Sequence, residues 1–157
     1  MKTAIGISDK HRVKSSEFLG IVLANETILY MKTRKFHWNV SGESFMELHK
    51  MFEMQYKQME SSIDEIAERI GKLGQKTVGT LEEFLKLTTL KEAPGKYPAS
   101  KQMILDLLQD HESIIGQIRD GIGEVSDKSK DLGTADFLTG LMEQHETTAW
   151  ILRRYLD

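Results

Sequence analysis

Two imidazoles and two carboxylates share one stretch of the chain, KFHWNVSGESFMELHKMFEMQYKQMESSIDEIAER, which runs from Lys35 to Arg69. They belong to His37, His49, Asp64 and Glu68. Imidazole nitrogens and carboxylate oxygens form a ligand set that suits iron, zinc or manganese. Such a set does chemistry only if its members converge on one ion, so the elements that carry them decide the matter.

From Glu43 to Leu73 the apolar residues fall at 45, 48, 52, 59, 63, 66, 70 and 73, with Tyr56 filling the gap. That alternation of threes and fours predicts one long amphipathic helix. His49, Glu53, Glu60, Asp64 and Glu68 lie off the stripe along one flank. Asp64 and Glu68 are about 40° apart around the axis and one turn apart along it, so they can grip one ion. His49 cannot join them within one chain. Fifteen residues separate it from Asp64, and a straight helix rising about 1.5 Å per residue sets them roughly 22 Å apart. A metal–ligand bond is only about 2 Å. A single site made from all four groups therefore needs a second subunit. A two-fold axis crossing the helix near Tyr56 and Lys57 lays His49 of one chain against Asp64 and Glu68 of the other, and isologous pairing makes two identical sites per dimer.

The rest of the chain must supply a scaffold for this helix. At 157 residues it is long enough for one domain with a real core. Only two prolines interrupt it and helical periodicities dominate, so an all-α fold is expected. Cysteine is absent, which excludes a disulfide framework and a thiolate metal site and fits a reducing cytoplasm. No apolar run approaches a membrane span or a signal peptide. A formal net charge of −3 argues against a whole surface devoted to nucleic acid.

Residues 1–14 are polar and aperiodic and read as a flexible, mildly basic arm, with residues 15–157 as the folded domain. Lys2, Lys10, Arg12 and Lys14 outweigh Asp9, so the arm can touch DNA phosphate by charge; the plainer reading is a frayed terminus. The first helix is expected to start at Ser15 or Ser16 as N-cap and to run to Val40. Ser41-Gly42 lets the chain reverse into the histidine-to-carboxylate helix, bringing His37 and His49 to one region. That second helix ends near Gly71 and Gly74. Thr80-Leu-Glu-Glu83 is a capping box opening a short helix to about Leu87, and Pro94, Gly95 and Pro98 mark a loop. A third long helix runs from Ser100 to Gly121 or Gly123, and a fourth starts at a cap on Asp131 or Thr134. Four long helices joined by one long crossover make a ferritin-like four-helix bundle with a short extra helix between the second and third.

Lys35-Phe-His-Trp-Asn-Val40, Leu48-His49, Phe52-Glu53, Asp64-Glu-Ile-Ala-Glu-Arg69 and the C-terminal EQHETTAWILRRYL resemble the Dps family of bacterial mini-ferritins. The resemblance spans nearly the whole chain. It implies a hollow shell of twelve subunits with ferroxidase sites between two-fold-related chains: His37 and His49 from one, Asp64 and Glu68 from the other. Glu53, one turn beyond His49, resembles an auxiliary acidic position. The implied reaction is oxidation of two Fe(II) per hydrogen peroxide, with Fe(III) mineralised in the cavity, protecting DNA and cell from oxidative stress. Trp38, beside His37, resembles tryptophans that accept stray oxidising equivalents, although aromatic packing explains it as well. Asp131 and Asp136 match the region lining acidic iron-entry pores, and Gly140 stands where some relatives carry another acid; helix capping alone also favours Asp there. The family often coats DNA through a lysine-rich arm, which would associate the protein with the nucleoid; this arm is short, so DNA contact stays open.

Ordinary ferritin is disfavoured, because no Glu is followed by His three residues later. His111 and His145 fall on apolar stripes and are expected to be hydrogen-bonded core or interface groups. Met46, Met51, Met54 and Met59 are expected to fill core and interface, and Tyr56 to pack. Three rival readings remain: a non-enzymatic DNA-compaction protein with a vestigial metal site, a bundle whose site holds redox-silent zinc, and a plain structural bundle.

Overall fold

The structure is a computed structural model that describes residues 3–156. Its elements in order are α1 (Asp9–Asn39), α2 (Phe45–Lys72), α3 (Leu81–Leu87), α4 (Ser100–Gly123) and α5 (Leu132–Arg154), with a π-helical turn over Glu124–Lys128. α1 and α2 form one helical hairpin and α4 and α5 the other. The crossover between the hairpins carries α3, which packs on α1. The expected all-α bundle with its extra short helix is what the chain adopts. Among the described residues no helix is long and apolar enough to cross a membrane.

Sequence explains most of the boundaries. Gly74 adopts a left-handed φ of 78° just past α2. The amide of Gly74 donates to Gly71 O at 2.8 Å and that of Gln75 to Ile70 O at 3.2 Å, a Schellman closure that uses two otherwise orphaned carbonyls. Thr80 and Glu83 form the expected reciprocal capping box on α3. Asp131 is the N-cap of α5, where its side chain accepts from Thr134 N.

The N-terminal segment departs from expectation. α1 begins at Asp9 with Ser8 as its cap, so the helix starts well before Ser15. Arg12 is buried, and its Nη1 donates to Leu73 O at 2.9 Å, closing the C-terminal end of α2. Burying that guanidinium rewards helical geometry ahead of Ser15, and the two serines proposed as caps lie buried inside α1. Of the proposed DNA-contacting residues, Lys10 and Lys14 are exposed on α1, Arg12 is occupied as described, and Lys2 lies outside the described residues.

The core draws on all four long helices: Leu19, Val22 and Leu29 from α1, Phe52 and Ile66 from α2, Leu107, Ile114 and Ile118 from α4, Leu138 and Leu152 from α5. Each such side chain contributes roughly 1.5–3 kcal/mol of transfer free energy. On α2 the buried positions are 48, 52, 55, 59, 62, 66 and 70, so the inner stripe takes in the polar residues Gln55 and Ser62, while Tyr56 and Ile63 sit half-buried beside it. Met59 is in the core as expected and Met51 packs against it, whereas Met46 and Met54 are exposed on the outer face of α2.

One polar contact ties the far end of α2 to the start of α5. Arg69 Nη2 lies 3.0 Å from Asp131 Oδ1, and Arg69 Nε donates to Thr134 Oγ1 at 2.8 Å. Thr134 donates from its backbone to Oδ1 at 3.1 Å and from its hydroxyl to Oδ2 at 2.6 Å, so both oxygens of the fully buried Asp131 are engaged. Replacing Asp131 with Ala removes a helix cap and leaves Arg69 without its carboxylate. The expected loss is about 3 kcal/mol, to be read from the urea unfolding midpoint.

Candidate metal half-sites on the second helix

His37 sits in the last turn of α1 and His49 in the second turn of α2. The two face each other across the turn at 40–44. Gly42 makes that reversal with φ 106°, a conformation that L side chains rarely adopt. The rings stack with centroids 3.8 Å apart and an interplanar angle of 19°. Each ring is held by the other residue's backbone: His37 Nδ1 lies 2.7 Å from His49 O, and His49 Nδ1 lies 2.9 Å from His37 O. A carbonyl only accepts, so both Nδ1 atoms carry protons. In the neutral imidazoles of this tautomer the lone pairs lie on the Nε2 atoms, the form that ligates a metal. Tyr56 abuts His37 edge-on at 5.3 Å and Phe45 flanks His49 at 5.1 Å.

Glu53 lies one turn along α2 from His49 and pairs with Lys57. That bond, first of all, holds its carboxyl below the ordinary range, and the fields of His37 and His49 act in the same direction. Glu53 is therefore an anion close to the imidazole pair. Trp38 is 59% exposed, so burial in the subunit core does not explain it. Its ring faces the Arg34 guanidinium at 5.3 Å, and Tyr56 and Tyr30 face the same cation at 4.8 and 5.5 Å. Arg34 Nη1 also donates to Tyr30 Oη at 2.6 Å. The tryptophan thus belongs to an aromatic–cation cluster that reaches His37 through Tyr56.

Asp64 and Glu68 stand exposed toward the other end of α2, one turn apart, with Lys72 Nζ 3.1 Å from Glu68 Oε2. They do not meet the histidines within the subunit. Among the described residues, no group of three or more His, Asp or Glu side chains is arranged to hold a metal ion. The imidazole pair, His37 at the end of α1 and His49 on α2, and the carboxylate pair on α2 are thus separated along the subunit, with exposed Met54 between them. Asp136 is exposed in the first turns of α5, while Asp131 is consumed by its cap and ion pair. Gly140 is exposed.

His111 and His145 are buried and hydrogen-bonded, Nδ1 to Nδ1 at 2.8 Å. His145 Nε2 bonds the fully buried Glu26 of α1. The sequence reading left out Glu26 and Gln55. The signal for both was register: Glu26 falls among the buried positions 19, 22, 23 and 29 of α1, and Gln55 between 52 and 59 of α2.

This bundle, with its short extra helix in the crossover, defines a ferritin-like protein, and the model of the ferritin-like domain matches residues 17–157. DNA protection during starvation protein 2 of Bacillus anthracis is 36% identical over 141 residues, covering 90% of this chain and 95% of its own. A low temperature-induced protein of Nostoc sp., itself described as uncharacterized, is 44% identical over 153 residues, 98% of this chain and 86% of its own. DpsC from Streptomyces coelicolor has a TM-score of 0.96 at 27% identity, covering 100% of this chain and 91% of that one. The Dps protein of Vibrio cholerae has a TM-score of 0.92 at 30% identity, covering 100% and 98%. The chain belongs to the Dps family.

Two expectations follow from the site. Gly42→Ala meets no atom within 4 Å of its new Cβ, so its cost is purely conformational. It should destabilise the subunit by about 1–2 kcal/mol and, by shifting His37 against His49, weaken Zn(II) binding; urea unfolding and zinc titration read the two effects separately. The second concerns pH. Burial first, and His145 second, push His111 well below its ordinary value of 6.5. The unfolded chain then takes up a proton that the folded chain refuses. This group's contribution to stability is complete above its unfolded value and is lost as pH falls below it. With a chelator present, stability should drop from pH 7 to pH 5.5, and His111→Gln should show a shallower slope in urea unfolding.

Proposed function

We infer that the protein is a mini-ferritin ferroxidase. In this reading it assembles as a hollow dodecamer and oxidises Fe(II), preferentially with hydrogen peroxide, at sites shared by two-fold-related subunits. The observation that carries it is the division of the ligands: two imidazoles with free Nε2 atoms at one end of α2, two exposed carboxylates at the other. An isologous pairing of α2 brings unlike ends together and completes two sites at once.

The chemistry follows from the ligands. His37 and His49 hold Fe(II) without adding charge, and Asp64, Glu68 and the anionic Glu53 favour Fe(III). Two Fe(II) each give one electron to hydrogen peroxide. Its O–O bond breaks to two hydroxides, so hydroxyl radical is not released. Few protein ligands leave coordination positions for oxidant and water. Trp38 and Tyr56, joined through the Arg34 cation, offer oxidisable rings beside His37 for equivalents that escape. The iron-entry role at the start of α5 rests on Asp136, which is exposed, with Gly140 adding no charge one turn later. DNA contact has Lys10 and Lys14 as its exposed candidates. Zinc is a competitor for the same ligands.

The test is an anaerobic Fe(II) load followed by a stoichiometric pulse of hydrogen peroxide. Fast oxidation near two Fe(II) per peroxide is expected, and it should vanish in His49→Ala plus Asp64→Ala. A mixing experiment examines the sharing itself. Shells of His49→Ala alone, or of Asp64→Ala plus Glu68→Ala alone, should be inactive. Co-assembled shells should recover about one quarter of the sites. Equal slow rates in all samples would remove the ferroxidase reading and favour DNA compaction or a structural zinc site.

A further inference from the structure

The interior of the bundle contains a second ligand set, independent of the half-sites on the surface of α2. A cavity of about 10 Å³ is lined by Glu26 of α1, Gln55, Met59 and Ser62 of α2, His111 of α4 and His145 of α5, among others. Glu26, His111 and Gln55 are 0%, 2% and 7% exposed. Four of their buried polar atoms have no hydrogen-bond partner: Glu26 Oε2, His111 Nε2 and both amide atoms of Gln55. Buried polar groups are nearly always satisfied, and four unmet atoms around one void call for an occupant.

We propose that this cavity is a binding site for one divalent transition-metal ion, held by Glu26 Oε2, His111 Nε2 and Gln55 Oε1. The proton arrangement supports it. His111 Nδ1 can donate to His145 Nδ1, and His145 Nε2 then donates to Glu26 Oε1. That arrangement uses both nitrogens of His145 and puts the lone pair of His111 on Nε2. Burial of His111 favours its neutral form. His145 thus orients the two ligands on either side of it without ligating. No lysine or arginine stands among the described residues lining the cavity, and His145 is the chargeable side chain paired with Glu26. An isolated buried carboxylate is costly, and a bound cation offsets that cost.

Size and donor type narrow the occupant. A water needs roughly 10–15 Å³ measured this way, so the void is at the lower limit for water and excludes a hydrated ion. A bare first-row divalent ion is smaller. An imidazole with a carboxylate and an amide oxygen suits Zn(II), Fe(II) or Co(II) better than Mg(II) or Ca(II), which prefer all-oxygen shells. Only two free His or Glu donors are involved, with the amide as third, so the site has positions left to fill.

Cobalt is the probe. The His49→Ala plus Asp64→Ala protein, which lacks the shared surface sites, is loaded with Co(II), dialysed, and assayed for retained metal and visible d–d absorption. About one Co(II) per subunit is expected, with the band of a nitrogen-containing site. Glu26→Gln should lose it, and Gln55→Met should weaken it roughly tenfold or more. Loss of all cobalt from the starting variant would overturn the proposal, as would full retention after Glu26→Gln. Anomalous diffraction at the cobalt edge, on protein without substitutions, poses the question without any folding risk. A peak between Glu26 and His111 supports the site, and an empty or water-filled cavity overturns it. Because the surface sites are removed in the first arm, failure here leaves the ferroxidase reading intact.

Discussion

A straight helix cannot bring its two ends together, and most of the functional design depends on that constraint. α2 has 28 residues, about 42 Å at the usual rise. His49 lies near one end, beside His37 of α1, and Asp64 and Glu68 lie toward the other, so in the proposed reading each subunit would hold two incomplete sites. Two rods of this kind complete both sites only when they run antiparallel about a shared two-fold axis. Exposed Met54 lies between the halves, where apolar contact would favour such pairing. If the proposed sites are shared in this way, metal binding and assembly would each act on the other, since anything that binds only the paired form stabilises it.

Both ends of α2 are braced by a neighbouring element. At the histidine end the last turn of α1 and the start of α2 exchange side-chain bonds to each other's carbonyls, which use acceptors and set two tautomers together. At the acidic end Arg69, next to Glu68, locks onto Asp131 and Thr134 at the start of α5. Arg12 from the first turn of α1 closes the same end through Leu73 O. Rigidity here serves chemistry: metal ligands held by packing and second hydrogen bonds bind better than ligands on a loose surface.

The fold was legible because apolar spacing, a capping box, Gly74 and Pro94 all pointed to the same bundle. His37, His49, Asp64 and Glu68 were legible as candidates because their flank position and helical distance follow from sequence alone. Other features depended on tertiary contacts. Helix α1 starts at Asp9 with Ser8 as a local cap, and Arg12 secures that first turn on a carbonyl 61 residues away, a contact that local propensity does not record. Asp131 reads equally well as cap or pore residue until Arg69 is seen to occupy it. Gln55 and Glu26 are polar by type, and only their register places them inside.

That polar register explains why the bundle interior and the α2 surface should be read as separate chemical environments. On the α2 surface, Glu53 and Glu68 pair with lysines one turn away and Asp64 is exposed, so a change of partner there costs little. Inside, Glu26 has only His145 as a charged or chargeable partner, and its second oxygen is unmet. Removing one partner from a buried polar group costs far more than it does at the surface. A sequence that only needed a packed bundle would gain from apolar residues at 26, 55, 111 and 145. Retaining four polar side chains at those positions, one from each long helix, lowers the stability of the empty core, and the proposed cation would offset part of that loss at Glu26 Oε2, His111 Nε2 and Gln55 Oε1.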